Sequence, residues 1–167
     1  AKSFPLYFLI ISAGIGIVAG CNSLIANCLG ERNKMAASIY SYNTLLFAVL
    51  FSIIITFGGI YFSYDLLKIM GNSNASISLA KEYTDIIFLG SIVFLIQTSF
   101  NAILYSQGDT KSYRNFLIVG LILNIILNPI FIFGLFFIPA FGIAGLAIST
   151  ILIQFVGCVY LFLKVNK

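Results

Sequence analysis

The sequence predicts an all-α integral membrane protein, a bundle of about five transmembrane helices, on three observations. Of its 167 residues 60% are hydrophobic and 8% charged, with a mean hydropathy of +1.08. A soluble domain carries roughly 25% charged residues to cover itself in water. The charges are also segregated: Ser3 to Gly30, Met35 to Tyr64, Ile86 to Gly108 and Asn115 to Leu163 carry none. A helix crosses the hydrocarbon core with about 20 apolar residues, so each of the first three runs holds one span. The fourth has 49 residues interrupted by Pro139 and Gly142, and holds two. Stretches such as Phe47 to Ile55 lack the alternation of a transmembrane barrel strand. Helices satisfy every backbone donor and acceptor within one segment, which lipid demands.

The first helix is expected over Phe4–Leu29 and the second over Ala37–Phe62. The third is expected over Glu82–Tyr105, the fourth over Asn115–Ile138 and the fifth over Ile143–Leu163. Gly30 and Gly108 stand where a glycine would take up the left-handed turn that closes a helix. Asn33, and the segment from Asp109 to Ser112, supply N-capping oxygens for the helices that follow. The one long connection is Ser63 to Ala80. In it Asp65 to Met70 reads as a short interfacial helix and Gly71 to Asn74 as a polar turn.

Lys and Arg near span ends set orientation. Five spans place Lys2, Lys68 and Lys81 on one side, and Arg32, Lys34, Lys111, Arg114, Lys164 and Lys167 on the other. The six-charge side is expected in the cytoplasm, so the chain starts outside and ends inside. The net charge of +4 is then a topology signal and gives no reason to invoke nucleic acid. Ser3 to Gly30 is too long and too rich in Gly and Ser for a cleavable signal peptide. Cys21, Cys28 and Cys158 fall inside spans without metal-ligand spacing, and His is absent, so a zinc or haem site has few possible ligands. Asn74-Ala75-Ser76 matches the glycosylation pattern on the predicted outer side. No acid falls mid-membrane, which argues against an enzyme, since general acid–base chemistry usually needs one.

The spans do carry uncharged polar residues at helical spacing. Gly120, Asn124 and Asn128 recur every fourth residue and share a face. Pro129 follows and, lacking an N–H, frees a carbonyl one turn back. Gln97 and Asn101 form a second such pair, Thr150 and Gln154 a third. Gly142, Gly145 and Ser149 make a small-residue ridge, and Ser12, Gly16, Gly20, Ser23 and Asn27 make a stripe on the first helix. Such residues serve either as helix–helix glue or, with four helices each offering a face, as the lining of a polar cavity.

Several segments carry a family resemblance. Asn124-Ile-Ile-Leu-Asn128-Pro129-Ile-Phe-Ile-Phe-Gly134 closely resembles the fifth helix of the multidrug and toxic compound extrusion (MATE) transporters. Gly142-Ile-Ala-Gly145-Leu-Ala-Ile-Ser-Thr150 resembles the start of their sixth. Tyr105-Ser-Gln-Gly108-Asp109-Thr110-Lys111 is similar to their loop between helices four and five, and Asn27 to Ala36 to the loop after helix two. Tyr83 and the Leu67 to Gly71 stretch fit the region between helices three and four. The match runs in order over essentially the whole chain.

The resemblance implies helices two to six of a six-helix N-terminal bundle, one half of a twelve-helix transporter. The first helix and the C-terminal bundle would lie outside these 167 residues. It implies a multi-pass protein of the cell membrane that exports small organic, often cationic, compounds in exchange for Na⁺ or H⁺, with no other cofactor. It implies a cation site built from a carboxylate on the absent first helix, an Asn and often an Asp on helix five, and a Thr on helix six. Here those positions are Asn124, Asn128 and Thr150, so the second departs from the Asp form. Gln97, Asn101, Gly120, Asn124 and Gln154 are the candidates for lining a substrate cavity. Amide and hydroxyl oxygens suit a hard cation such as Na⁺ but cannot take up a proton near neutral pH. Proton coupling therefore has no obvious carrier within this chain. Two other functions stay open. A lipid-linked sugar flippase of the same superfamily would be expected to have a more cationic cavity than these spans offer. A non-transporting scaffold would use the polar faces only for packing.

Overall fold

A computed structural model describes residues 4–69, 74–134 and 139–166. Six helices follow in order: α1 (Phe4–Gly30), α2 (Lys34–Ile69), α3 (Asn74–Leu89), α4 (Ser91–Ser106), α5 (Thr110–Phe133) and α6 (Ile143–Val165). No strand occurs among the described residues. Four of these helices are long and apolar enough to cross a membrane, and α3 with α4 makes a fifth if the bent pair is one span.

The structure extends three elements beyond their sequence-predicted bounds. Asp65 to Ile69 is no separate interfacial helix: it continues α2 without a break. The predicted loop from Ser63 to Ala80 is therefore mostly helix, since α3 already begins at Asn74 and not at Glu82. Met70 and residues 71–73 lie outside the described residues. The helix expected over Asn115–Ile138 runs from Thr110 to Phe133, and 135–138 also lie outside. Polar residues were read as boundaries, but at span ends they ride one or two further turns into the interface.

The caps are local and conform to their chemistry. Asn33 Oδ1 accepts from the Ala36 N–H at 3.0 Å. Asp109 Oδ1 accepts from the Ser112 N–H at 3.0 Å while Oδ2 takes the Ser112 hydroxyl. Those two bonds, hydroxyl first, hold the Asp109 carboxyl below the usual carboxylate range. Gly108 carries the left-handed turn after α4 at φ +84°, as expected. Gly30 does not: it is the last residue of α1, and Arg32 takes the positive φ of 58°.

α4 is the hub, packed on α1, α2 and α6, while α5 leans mainly on α6. The interfaces are built from small residues. Ser52, Ser63, Ser99, Ser149, Ala48, Ala102 and Ala147 are fully buried. Lipid is as apolar as leucine, so helix association rests on close approach, which small side chains permit. Their hydroxyls turn back onto their own helices, as Ser99 Oγ does to the Leu95 carbonyl at 2.8 Å. Leu67, Leu95, Leu104 and Leu161 are buried with these small residues, while other large side chains point outward: Phe57 and Tyr61 on α2, and Leu121 and Ile125 on α5, are all exposed. A water-facing surface could not carry such a contiguous band; a bilayer-facing one does.

The third span bends by 47° at Gly90. The i→i−4 ladder stops with Gly90 N–H to the Ile86 carbonyl and restarts with Phe94 N–H to the Gly90 carbonyl. Gly90 has an ordinary right-handed φ of −75°, so its role is steric. A Cβ there would lie 2.4 Å from Ile151 Cγ1 of α6. The break is stapled from α2: Thr56 Oγ1 donates to the Phe88 carbonyl at 2.9 Å and lies 2.9 Å from Ser91 Oγ.

Candidate functional site

On α5 the i, i+4 spacing brings Asn124 and Asn128 into direct contact. Asn128 Nδ2 donates to Asn124 Oδ1 at 2.5 Å. From α6, Ser149 Oγ lies 2.5 Å from Asn128 Oδ1 and 3.0 Å from the Leu146 carbonyl. The chain Ser149–Asn128–Asn124 thus ties the α5–α6 seam with polar bonds. Gly120, one turn back on α5, is buried, and a Cβ there would meet Ile153 of α6 at an ordinary contact distance of 3.4 Å. Pro129 leaves the Ile125 carbonyl without its usual intrahelical donor. Each amide oxygen in the chain accepts one hydrogen bond and keeps a second lone pair. A hard cation would take those lone pairs.

Thr150, the sequence-nominated helix-six ligand, is not joined to this chain. Its hydroxyl donates to the Leu146 carbonyl at 2.8 Å. It lines a small gap with Gln154, Gly90 and Ser91, on the side of α6 facing α1 and α4. Gln97 on α4 is 1% exposed, and both its amide atoms lack a hydrogen-bond partner, as does Gln154 Oε1. Asn101, one turn on from Gln97, is half-buried. The nominated residues therefore do not form one site: Gly120, Asn124 and Asn128 lie on α5 at its seam with α6, Thr150 and Gln154 share the small gap, and Gln97 and Asn101 lie further along α4 outside its lining. The residue that sequence reasoning missed as a partner is Ser149. Its only signal was a place in the small-residue ridge, one position before Thr150.

A wide open space lies elsewhere. A groove of about 700 Å³ runs between α1, α2 and α3 and is lined by none of the nominated residues. Among the described residues no group of three or more His, Cys, Asp and Glu could hold a metal ion; the oxygens of the Ser149–Asn128–Asn124 chain are all neutral.

A helical bundle with apolar spans, an exposed apolar surface and an uncharged polar seam defines a class: the polytopic helical membrane proteins. The MatE family profile matches residues 2–130, and the chain belongs to that family. It is 33% identical over 149 residues to the probable multidrug resistance protein YoeA of Bacillus subtilis, covering 89% of this chain and 32% of that protein. It is 37% identical over 141 residues to the probable multidrug resistance protein NorM of Thermotoga maritima, covering 83% and 30%. A solved inward-facing multidrug resistance MATE family transporter of the MOP superfamily superposes with TM-score 0.91 at 28% identity, over 98% of this chain and 36% of that one. A crystal structure of MATE in the bent conformation gives 0.90 at 29% identity, over 96% and 35%. The chain thus spans about a third of the length of these relatives.

Proposed function

We propose that the protein containing this chain is a multidrug efflux antiporter of the cell membrane, exporting small, cationic organic compounds against Na⁺ or H⁺. In this reading the chain supplies five spans of one half. A further helix and a second bundle, in the part of the relatives that this chain does not span, complete the pathway. The observation that carries the coupling role is the hydrogen-bonded Ser149–Asn128–Asn124 chain beside Pro129, an array of oxygens held in an apolar seam. Thr150 faces α1 and α4 and stands outside this array. Since these groups do not titrate near neutral pH, Na⁺ suits them better than H⁺, and the missing negative charge must come from elsewhere in the transporter.

The reading is tested in the full-length protein. Asn128→Ala is expected to weaken the Na⁺ dependence of export, with thermal stability falling by only about 0.6 kcal/mol, the average for a polar interhelical contact. Asn128→Asp is expected to tighten cation dependence or introduce pH dependence. If export by both variants follows Na⁺ and pH as the parent does, the asparagines only join α5 to α6.

A further inference from the structure

The groove between α1, α2 and α3 is lined by apolar residues apart from Ser12 of α1 and, toward one end, the carboxylate of Asp65. Phe51, Ile55, Gly58 and Phe62 of α2 form one wall and Phe88 of α3 the floor, with Asp65 at one end. Gly58 faces the open space: a Cβ there would meet nothing within 4 Å. Gly59 beside it is occupied, since its Cβ would lie 2.2 Å from the Phe88 ring. On the adjoining flank of α2, Ile54, Phe57 and Tyr61 are exposed, so the groove opens toward the bilayer.

From Asp65 to Phe51 the wall is 14 residues long, about 21 Å at 1.5 Å per residue. That exceeds one leaflet of a hydrocarbon core roughly 30 Å thick by about the depth of the interface. Asp65 marks the end of the charge-free stretch Met35 to Tyr64, which places it at headgroup level. It is exposed, and the ion pair among the described residues is Lys81–Asp85, which does not involve it. Lys68 follows three residues later, on a neighbouring part of the same helix surface. One end of the groove therefore offers a carboxylate with an ammonium next to it, and the rest, Ser12 apart, offers hydrocarbon.

We propose that this groove is a site for a phospholipid with a primary-amine zwitterionic headgroup: its acyl chain lies along Gly58, its ammonium meets Asp65 and its phosphate meets Lys68. A carboxylate takes N–H donors in charge-assisted hydrogen bonds. A quaternary ammonium cannot give them, and an anionic headgroup without an amine brings only repulsion to Asp65. The proposal stands apart from the coupling role of the α5–α6 seam.

The test uses the full-length protein in vesicles doped with phosphatidylethanolamine, phosphatidylcholine or phosphatidylglycerol bearing the same diazirine-labelled acyl chain. Irradiation is followed by peptide mapping. Insertion into the 51–66 segment is expected to be about threefold higher from phosphatidylethanolamine than from either of the others, the scale of one exposed ion pair. Asp65→Asn should level the three probes. Gly58→Leu should lower insertion from all of them, while Gly16→Leu, at another open position, should not. Equal insertion from the three headgroups in the unmutated protein overturns the proposal, with no variant needed. So does absence of labelling because another part of the chain covers the groove. Displacement of the label by tetraphenylphosphonium without a headgroup preference would make the groove a lipophilic-cation site instead.

Discussion

Glycines that look alike in the sequence differ in what surrounds them. Gly145 stands where α6 meets the end of α5, and a Cβ there would come 2.4 Å from the Phe131 carbonyl oxygen. That oxygen belongs to backbone and already accepts from the Phe141 N–H at 3.0 Å, so it cannot swing aside. Gly20, in the stripe on α1, has nothing within 4 Å of its would-be Cβ. Gly145→Ala is accordingly expected to lower stability by about 2 kcal/mol, the usual cost of overpacking. Gly20→Ala should be neutral or raise it by up to about 1 kcal/mol through helix propensity. Thermal unfolding of the two variants in detergent measures the difference, and equal midpoints would contradict it. The caps at Asn33 and Asp109 were legible from sequence because their partners lie three residues away. Ser149 was not legible as the partner of Asn128, because 21 residues separate them.

Among the elements, the bent third span departs most from its sequence reading. Gly90 sits in an apolar run and gives no sign of a break, since isolated glycines are tolerated inside helices. The bend becomes necessary only when Ile151 of α6 takes the space beside it. The backbone carbonyl lost to the ladder then needs a donor, and Thr56 supplies one from 32 residues away. Thr56→Val keeps the side-chain shape and removes that donor. It is expected to destabilise by about 1 kcal/mol, since a buried carbonyl loses its hydrogen bond, while Thr56→Ser stays within a few tenths. Urea or thermal titration of both checks this, and identical behaviour of Val and Ser would show that the hydroxyl is idle. The helix ends were misplaced for a related reason. Charged and polar residues at the interface, such as Asp65 and Asn115, mark where lipid ends and not where helix ends.

The whole molecule has a direction in the membrane as well as a shape. By the Lys and Arg count, the Glu31–Ala36 and Asp109–Arg114 segments are expected to face the cytoplasm and Ser63–Ala80 the outside. In a background without native cysteines, Asn74→Cys is expected to react with an impermeant thiol reagent in intact cells, and Asn33→Cys only after lysis. The reverse pattern would invert the topology. Since the chain spans about a third of its relatives, this labelling belongs in the full-length protein.

Helical class, membrane residence, span order and family could all be read from residue order alone. They depend on local quantities that each segment carries with it: apolar length, the absence of charge, capping oxygens and short motifs such as Asn124-x-x-x-Asn128-Pro129. Which polar faces meet was decided only by packing. Asn124 and Asn128 found Ser149 where α6 closed on α5, while both amide atoms of Gln97 and Oε1 of Gln154 were left without partners. The groove that reaches Asp65 was likewise invisible beforehand, since it is the space left between α1, α2 and α3. A helix carries its own hydrogen bonds wherever it goes, so its existence is a local property. A polar contact or a groove needs two or three helices at a set distance, and that distance is fixed by small-residue packing far apart in the chain.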